Sequence, residues 1–171
     1  MARKNEQIYV DLNVFVGGMG LLGVATSFKP PVVELKGVDS YSSSAGDIKC
    51  FYGAVENMEC EFSLGQHNPL VYEEMAKMGE GTFILKASAS QCKIGETNSV
   101  EYEVRGQVST IEDPESKRGE KVAQTVKMGS VSYYKKSIDG KVVCEIDKIN
   151  GIVKPDGKTD LLEKSRNFLN G

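Results

Sequence analysis

Two carboxylates, Glu145 and Asp147, stand two residues apart in the run VVCEIDKIN. On a β-strand that spacing puts both on one face, where paired acids can move protons or hold a divalent cation. No third acid, DxDxDG loop or EF-hand spacing accompanies them, and Lys136 and Lys148 are nearby charge partners. The single histidine, His67, would have to serve any Ser-His or Cys-His nucleophilic arrangement. It lies in the polar turn GQHNP before a helix start, the setting of an exposed structural side chain. The four cysteines, Cys50, Cys60, Cys92 and Cys144, are widely spaced without a CxxC pair. They read as buried or half-buried thiols rather than a zinc or iron-sulfur site. Gly17 to Gly23, GGMGLLG, follows a strand as a phosphate-binding loop would, but neither a helix of useful length nor a lysine-serine pair comes after it. It reads as a hairpin bend. There is no tryptophan, and the tyrosines are spread along strands, which disfavours aromatic platforms for sugars or bases. The expectation is a protein with no catalytic, cofactor-binding or metal site.

Composition narrows the class further. A chain of 171 residues supports one substantial core and shows no linker between two. Its 21 basic and 24 acidic residues are well mixed and leave a net charge of -3. Such a surface does not grip phosphate or an anionic membrane. MARKNEQ leads straight into an alternating strand, with no apolar signal region or membrane span, so synthesis and folding in the cytoplasm are expected.

The elements that must carry these residues are mostly strands. The firmest is a hairpin from Ser132 to Asn150, turned by Asp139-Gly140, whose sequence suits a two-residue type I′ turn. That turn sets Ile138 opposite Lys141, Lys136 opposite Val143, Tyr134 opposite Glu145 and Ser132 opposite Asp147. Val131, Tyr133, Val142, Cys144 and Ile146 then form the core face, with Lys136 and Glu145 as a diagonal charge pair on the other. Upstream, Val122, Val126 and Met128 are in a different apolar phase, and a β-bulge near Gly129 accounts for the shift.

Period-two alternation also marks strands from Ile8 to Val16, Val55 to Leu64, Thr82 to Ala89 and Val100 to Val108. Shorter strands are expected at Leu21 to Phe28 and Ile48 to Tyr52. Lys36 to Asp47, KGVDSYSSSAGD, has too little apolar surface to order itself and is expected to be a mobile loop. Asn68-Pro69 opens a helix that stops near Gly79, with Leu70, Val71, Met75 and Met78 as its apolar stripe and Glu73 and Lys77 as an i, i+4 pair. Thr159 caps a second helix with Leu161, Leu162, Phe168 and Leu169 buried. Eight or nine strands with short connections and two helices make a mainly β fold, an antiparallel β-sandwich or barrel with a flanking helix and a short C-terminal helix.

The run SYYKKSIDGKVVCEIDKINGIV, continuing through DGKTDLLEKSRNFLNG, resembles the major tail tube proteins of contractile-tailed bacteriophages and the related R-type pyocin tube subunits. The resemblance rests on Tyr133, Tyr134, Lys135, Asp139, Gly140, Glu145, Ile146, Asp147, Asn150, Arg166 and Leu169. Tyr9 to Pro31 is similar to the family's opening hairpin. A serine-rich loop after Leu35 and Asn170 before the final glycine depart from the family pattern.

This resemblance implies a single tube domain over residues 1–171, assembling as stacked hexameric rings into a hollow conduit for DNA inside a contractile sheath. It implies a virion location and partnership with further copies of itself, sheath, baseplate or tube initiator, tape measure and tail terminator proteins. DNA would be non-specific cargo, with no membrane insertion. Val38, Tyr41, Ser42, Ser43 and Ser44 in the assembly loop, together with Glu145 and Asp147, become candidates for subunit interfaces. The alternatives are a tube subunit of a DNA-free pyocin-like or type VI secretion particle, and a soluble β-sandwich that binds a small ligand or glycan.

Overall fold

A computed structural model describes residues 7–16, 19–21, 25–42, 46–77, 81–91, 97–115 and 117–170. Its strands are β1 (Gln7–Val16), β2 (Met19–Leu21), β3 (Ala25–Lys29), β4 (Leu35–Ser42), β5 (Gly46–Val55), β6 (Cys60–Leu64), β7 (Gly81–Gln91), β8 (Thr97–Glu112), β9 (Gln124–Ile138), β10 (Lys141–Asp147) and β11 (Ile152–Lys154). Helix α1 (Pro69–Ala76) separates β6 from β7, and α2 (Glu163–Asn170) follows β11. Every described strand pairing is antiparallel, as short connections require. The expected mainly β architecture is therefore present.

The main sheet runs β11-β10-β9-β8-β7-β1-β2. β9 is its hinge, because one edge pairs along β8 while the other changes partner. Gln124 to Met128 pairs with β6, and Tyr133 to Ile138 pairs with β10. β6 in turn pairs with β3. The strands β1-β7-β8-β9-β6-β3 thus curl around one core of Val14, Val16, Met58, Phe62, Leu64, Phe83, Val104, Val126 and Met128. β3 returns beside β1, but no pairing joins them among the described residues, so the curl stops short of a closed barrel.

Bulges let β9 turn from one layer toward the other. Between its pairings Met128 with Val108 and Ser130 with Gln107, Gly129 is skipped. This is the bulge expected from the change of apolar phase. A second bulge skips Ser132 between Val131 with Gly106 and Tyr133 with Arg105. It makes Tyr134, not Tyr133, the buried tyrosine. In β10, a third irregularity follows Val142, so only the first expected hairpin pair, Ile138 with Lys141, is kept. Lys136 faces Cys144, Tyr134 faces Ile146 and Tyr133 faces Asp147, each one residue from the expected register. The physical reason is the extra residue, which reverses the facing of everything beyond it. Val131 and Ile146 remain core; Val142, Cys144 and Tyr133 are only partly buried.

Several sequence expectations need correcting. Of the expected loop Lys36 to Asp47, residues 36–42 and 46–47 are instead paired strand in the two-stranded β4-β5 hairpin, whose backbone pairs internally where side chains offered no periodic signal, and residues 43–45 lie outside the described residues. In α1, Asn68 caps as expected, accepting the Leu70 N–H at 2.9 Å. Val71 is buried but Met75 is exposed, and Glu74 points inward and pairs with Lys77, replacing the expected Glu73 to Lys77 pair. Met78 and Gly79 lie outside the described residues. The second helix starts later than expected, and Leu161, Phe168 and Leu169 are exposed, leaving Leu162 packed at the core margin. Asp156, not Thr159, takes the turn's amides. Val14 and Val16 are buried in β1, but Ile8 and Val10 are not. Cys60 is buried and Cys144 partly so, while Cys50 is exposed and Cys92 lies outside the described residues.

Candidate assembly surfaces

The β4-β5 hairpin stands apart from the main sheet. Its base is held by Leu35 and Val55 at the core and by the Glu56 N–H donated to the Glu34 carbonyl at 2.8 Å. Gly53 allows the hairpin to leave at this point: its φ of 85° is in the left-handed region, and a Cβ there would press on Leu162 at 3.2 Å. Beyond it, Val38, Ile48, Phe51 and Tyr52 are all exposed. A lone two-stranded hairpin is marginal in water, and burying each such side chain contributes about 1.5–3 kcal/mol. The hairpin therefore carries exposed apolar side chains in a concentration that a monomer rarely leaves in water. Of the interface candidates here, Val38 is exposed; Tyr41 and Ser42 are described by backbone alone, in β4; Ser43 and Ser44 lie outside the described residues.

Glu145 and Asp147 are already engaged within the chain. Register places Glu103 of β8, Lys135 of β9, Glu145 of β10 and Lys154 of β11 in one row across four strands. Lys135 to Glu103 is 3.6 Å and Lys154 to Glu145 is 3.4 Å. The Tyr133 hydroxyl donates to Glu145 at 3.3 Å, and its pKa is pushed up to about 12 by burial first and then by the Glu103 and Glu145 carboxylates. The expected Lys136 to Glu145 pair is thus replaced by Lys154, a partner that the strand β11 supplies. Asp147 accepts the N–H groups of Ile149 and Asn150 and the Asn150 side chain, closing the turn after β10. Burial pushes its carboxyl up, but these hydrogen bonds outweigh that and hold it below the usual range. The two acids are not brought together with a third: among the described residues no cluster of His, Cys, Asp or Glu could hold a metal.

His67 is exposed beside Asp113, 3.3 Å away. The residue that the sequence reading passed over is Gln124, the first residue of β9 and fully buried. Its Oε1 accepts the Asn68 N–H at 3.1 Å, and its Nε2 donates to Tyr72 at 3.3 Å and Asp113 at 3.2 Å. One glutamine so docks α1 onto the sheet. A polar residue in phase with Val126 and Met128 is the signal that could have found it.

At the far end of the chain, Arg166 donates to the Gly151 carbonyl and pairs with Asp160, each at 2.7 Å. The resemblance motif arginine therefore anchors α2 to the lead-in of β11. Beyond that anchor Phe168 is 87% exposed and Leu169 78% exposed. A second open feature lies where β1 and β3 fail to join: a cleft of about 420 Å³ lined by Tyr9 to Leu12, Ala25 to Phe28, Pro30 and Tyr102.

The phage tail tube protein FII family matches residues 6–169 of this chain. The tail tube protein of Escherichia phage P2 is 30% identical over 163 residues, covering 92% of this chain and 94% of that protein. The major tail tube protein of Serratia phage KSP20 is 39% identical over 64 residues, 37% of each chain. In fold, the chain is similar to one from the cryo-EM sheath-tube complex of an extracellular contractile injection system, PVC, in its extended state. The TM-score is 0.55 at 9% identity, over 74% of this chain and 87% of the other. A chain from the PVC sheath/tube terminator gives 0.56 at 8% identity, over 75% and 94%. With its curled antiparallel sheet, outlying hairpin and matched length, this chain belongs to the phage tail tube protein FII family and is a contractile tail tube protein.

Proposed function

We propose that this subunit acts by self-association alone, forming hexameric rings that stack into a hollow conduit for genome delivery inside a contractile sheath. The observation that carries the reading is the β4-β5 hairpin, with four large apolar side chains in water on a subunit of this family. The hairpin's outer part, including Val38, Tyr41 and Ser42 to Ser44, acts as the assembly element, ordered by a neighbouring subunit or ring. Glu145 and Asp147 contribute by holding the geometry of β10, β11 and the turn between them.

The same reading makes the protein non-enzymatic and free of cofactors. Its partners are further copies of itself, sheath, baseplate or tube initiator, tape measure and tail terminator proteins. It is synthesised and assembled in the host cytoplasm and ends in the virion tail. DNA passes as cargo, and a net charge of -3 suits a conduit that must release it, because each lysine-phosphate contact adds favourable counterion release. A DNA-free contractile particle is the second reading, favoured by the likeness of fold to chains of an extracellular contractile injection system.

Electron microscopy of purified protein, with and without tube initiator components, tests the first reading. Rings or tubes are expected. Persistent monomer together with a saturable ligand-dependent rise in Tm would replace it with a soluble binding module. Tubes in particles lacking nucleic acid would select the second reading.

A further inference from the structure

We infer that the cleft between β1 and β3 seats the end of helix α2 from a neighbouring copy of this chain, with Phe168 inserted and Lys164 set against Asp11. The inference rests on the tube reading and names a contact that builds it.

The cleft is the place where the curled sheet is open. β1 is paired by β7 on one edge, but among the described residues β2 covers only its last three residues, Val14 to Val16, on the other. Among the described residues β3 is paired by β6 on one edge only. Two strand edges thus face each other without pairing, a feature that proteins normally cover. The walls and floor suit an aromatic side chain. Tyr9 and Tyr102, which both line the cleft, hold each other's hydroxyls at 3.1 Å, and the Phe28 and Tyr102 rings are tilted at 5.1 Å. Val10 and Pro30 complete an apolar rim, and a further ring can take an edge-to-face position.

Phe168 is the most exposed of the large hydrophobic side chains described, and Leu169 beside it is nearly as bare. Arg166 ties α2 firmly to the β11 end, so the apolar tip is presented on a held element and not on a loose one. Lys164 lies one turn before Phe168 on the same helix face, and both it and Asp11 of the cleft are exposed. Tip and cleft are therefore complementary in both apolar character and charge.

Their positions make the contact heterologous. α2 sits at the β11 end of the strand order, and the cleft at the β1 end. A tip on one part of the surface that fits a cleft on another joins copies head to tail, which closes a ring or propagates a filament.

The test measures assembly of the full chain by sedimentation and electron microscopy, with thermal unfolding as the check on folding. Phe168→Ser is expected to leave Tm unchanged and to lower the assembled fraction at least tenfold. Asp11→Lys and Lys164→Asp are each expected to impair assembly, and the double exchange to restore it. Normal tubes from Phe168→Ser overturn the seat while leaving the tube reading intact, and would shift attention to another occupant such as the β4-β5 hairpin. Impaired single variants that the double exchange does not rescue also overturn it. Wild-type protein that stays monomeric under every condition overturns the tube reading and the seat together.

Discussion

The carbonyl oxygen of Ser130 occupies the space that a Cβ on Gly106 would need. Gly106 lies opposite β9 where that strand bulges and changes partner from β6 to β10, so the close approach is part of how the sheet bends. Gly106→Ala is expected to lower stability by about 3 kcal/mol, because the obstructing atom is backbone and cannot swing aside. At Gly129 a Cβ would meet both the Cβ and the Oγ of Ser109 at 2.9 Å, so the Ser109 side chain must shift, but no backbone atom stands in the way. Gly129→Ala should therefore cost less than Gly106→Ala, about 1–2 kcal/mol. Urea unfolding of both variants checks the order; equal losses would show that the bulged crossing tolerates displacement.

Gln124 predicts a different kind of loss. Replacing it with Leu keeps the volume but strips the Asn68 N–H of its acceptor and Tyr72 and Asp113 of a donor. Leaving buried polar groups unpaired costs about 1–3 kcal/mol, and the damage should fall on α1. Hydrogen exchange should show faster exchange in residues 68–76 than in β8, whereas uniform acceleration would mean that the glutamine supports the whole core.

Asp156 sets an acid limit. Its carboxyl is held down at about 2 by the Thr159 N–H first, then by the Lys158 N–H and the Thr159 hydroxyl, against an ordinary value of 3.8. A depressed folded value means that the unfolded chain binds the proton first as pH falls. The stability it contributes is complete above about pH 4 and is lost progressively as pH falls toward about 2. Asp156→Ala should flatten the pH dependence of unfolding in that window and leave the shape above pH 5 unchanged. Unfolding midpoints at several acid pH values decide it.

Deleting Val38 to Gly46 removes the hairpin's outer part while keeping Leu35 and Val55 at the core. The shortened subunit is expected to unfold cooperatively with at most about 1 kcal/mol lost, since loop length itself carries a small entropy term. It should form no tubes. Normal tubes in electron micrographs would remove the hairpin from assembly.

Much of the framework was legible because strands with one wet face must alternate. Val100, Tyr102 and Val104 against Glu101, Glu103 and Arg105 read directly as β8, and Asp139-Gly140 as the turn into β10. Asn68-Pro69 declared the start of α1 because its capping chemistry is local. The phase change at Gly129 even located one bulge. Of the β4-β5 hairpin only the strand at Ile48 to Tyr52 was legible; β4 was not, since backbone pairing orders it while Val38, Asp39 and Ser40 are exposed in succession and leave no buried pattern to read.

Residue types and spacing thus determined the class and the main strands. Tertiary structure decided the rest, because facing depends on bulges that sum over distance. One extra residue after Val142 moved Glu145 from Tyr134 to Lys135, and one at Ser132 put Tyr134 in the core instead of Tyr133. It likewise decided that Phe168 and Leu169, apolar at helical spacing, face outward: Arg166 and Leu162 fix the helix on its other side, and no described part of the same chain covers them.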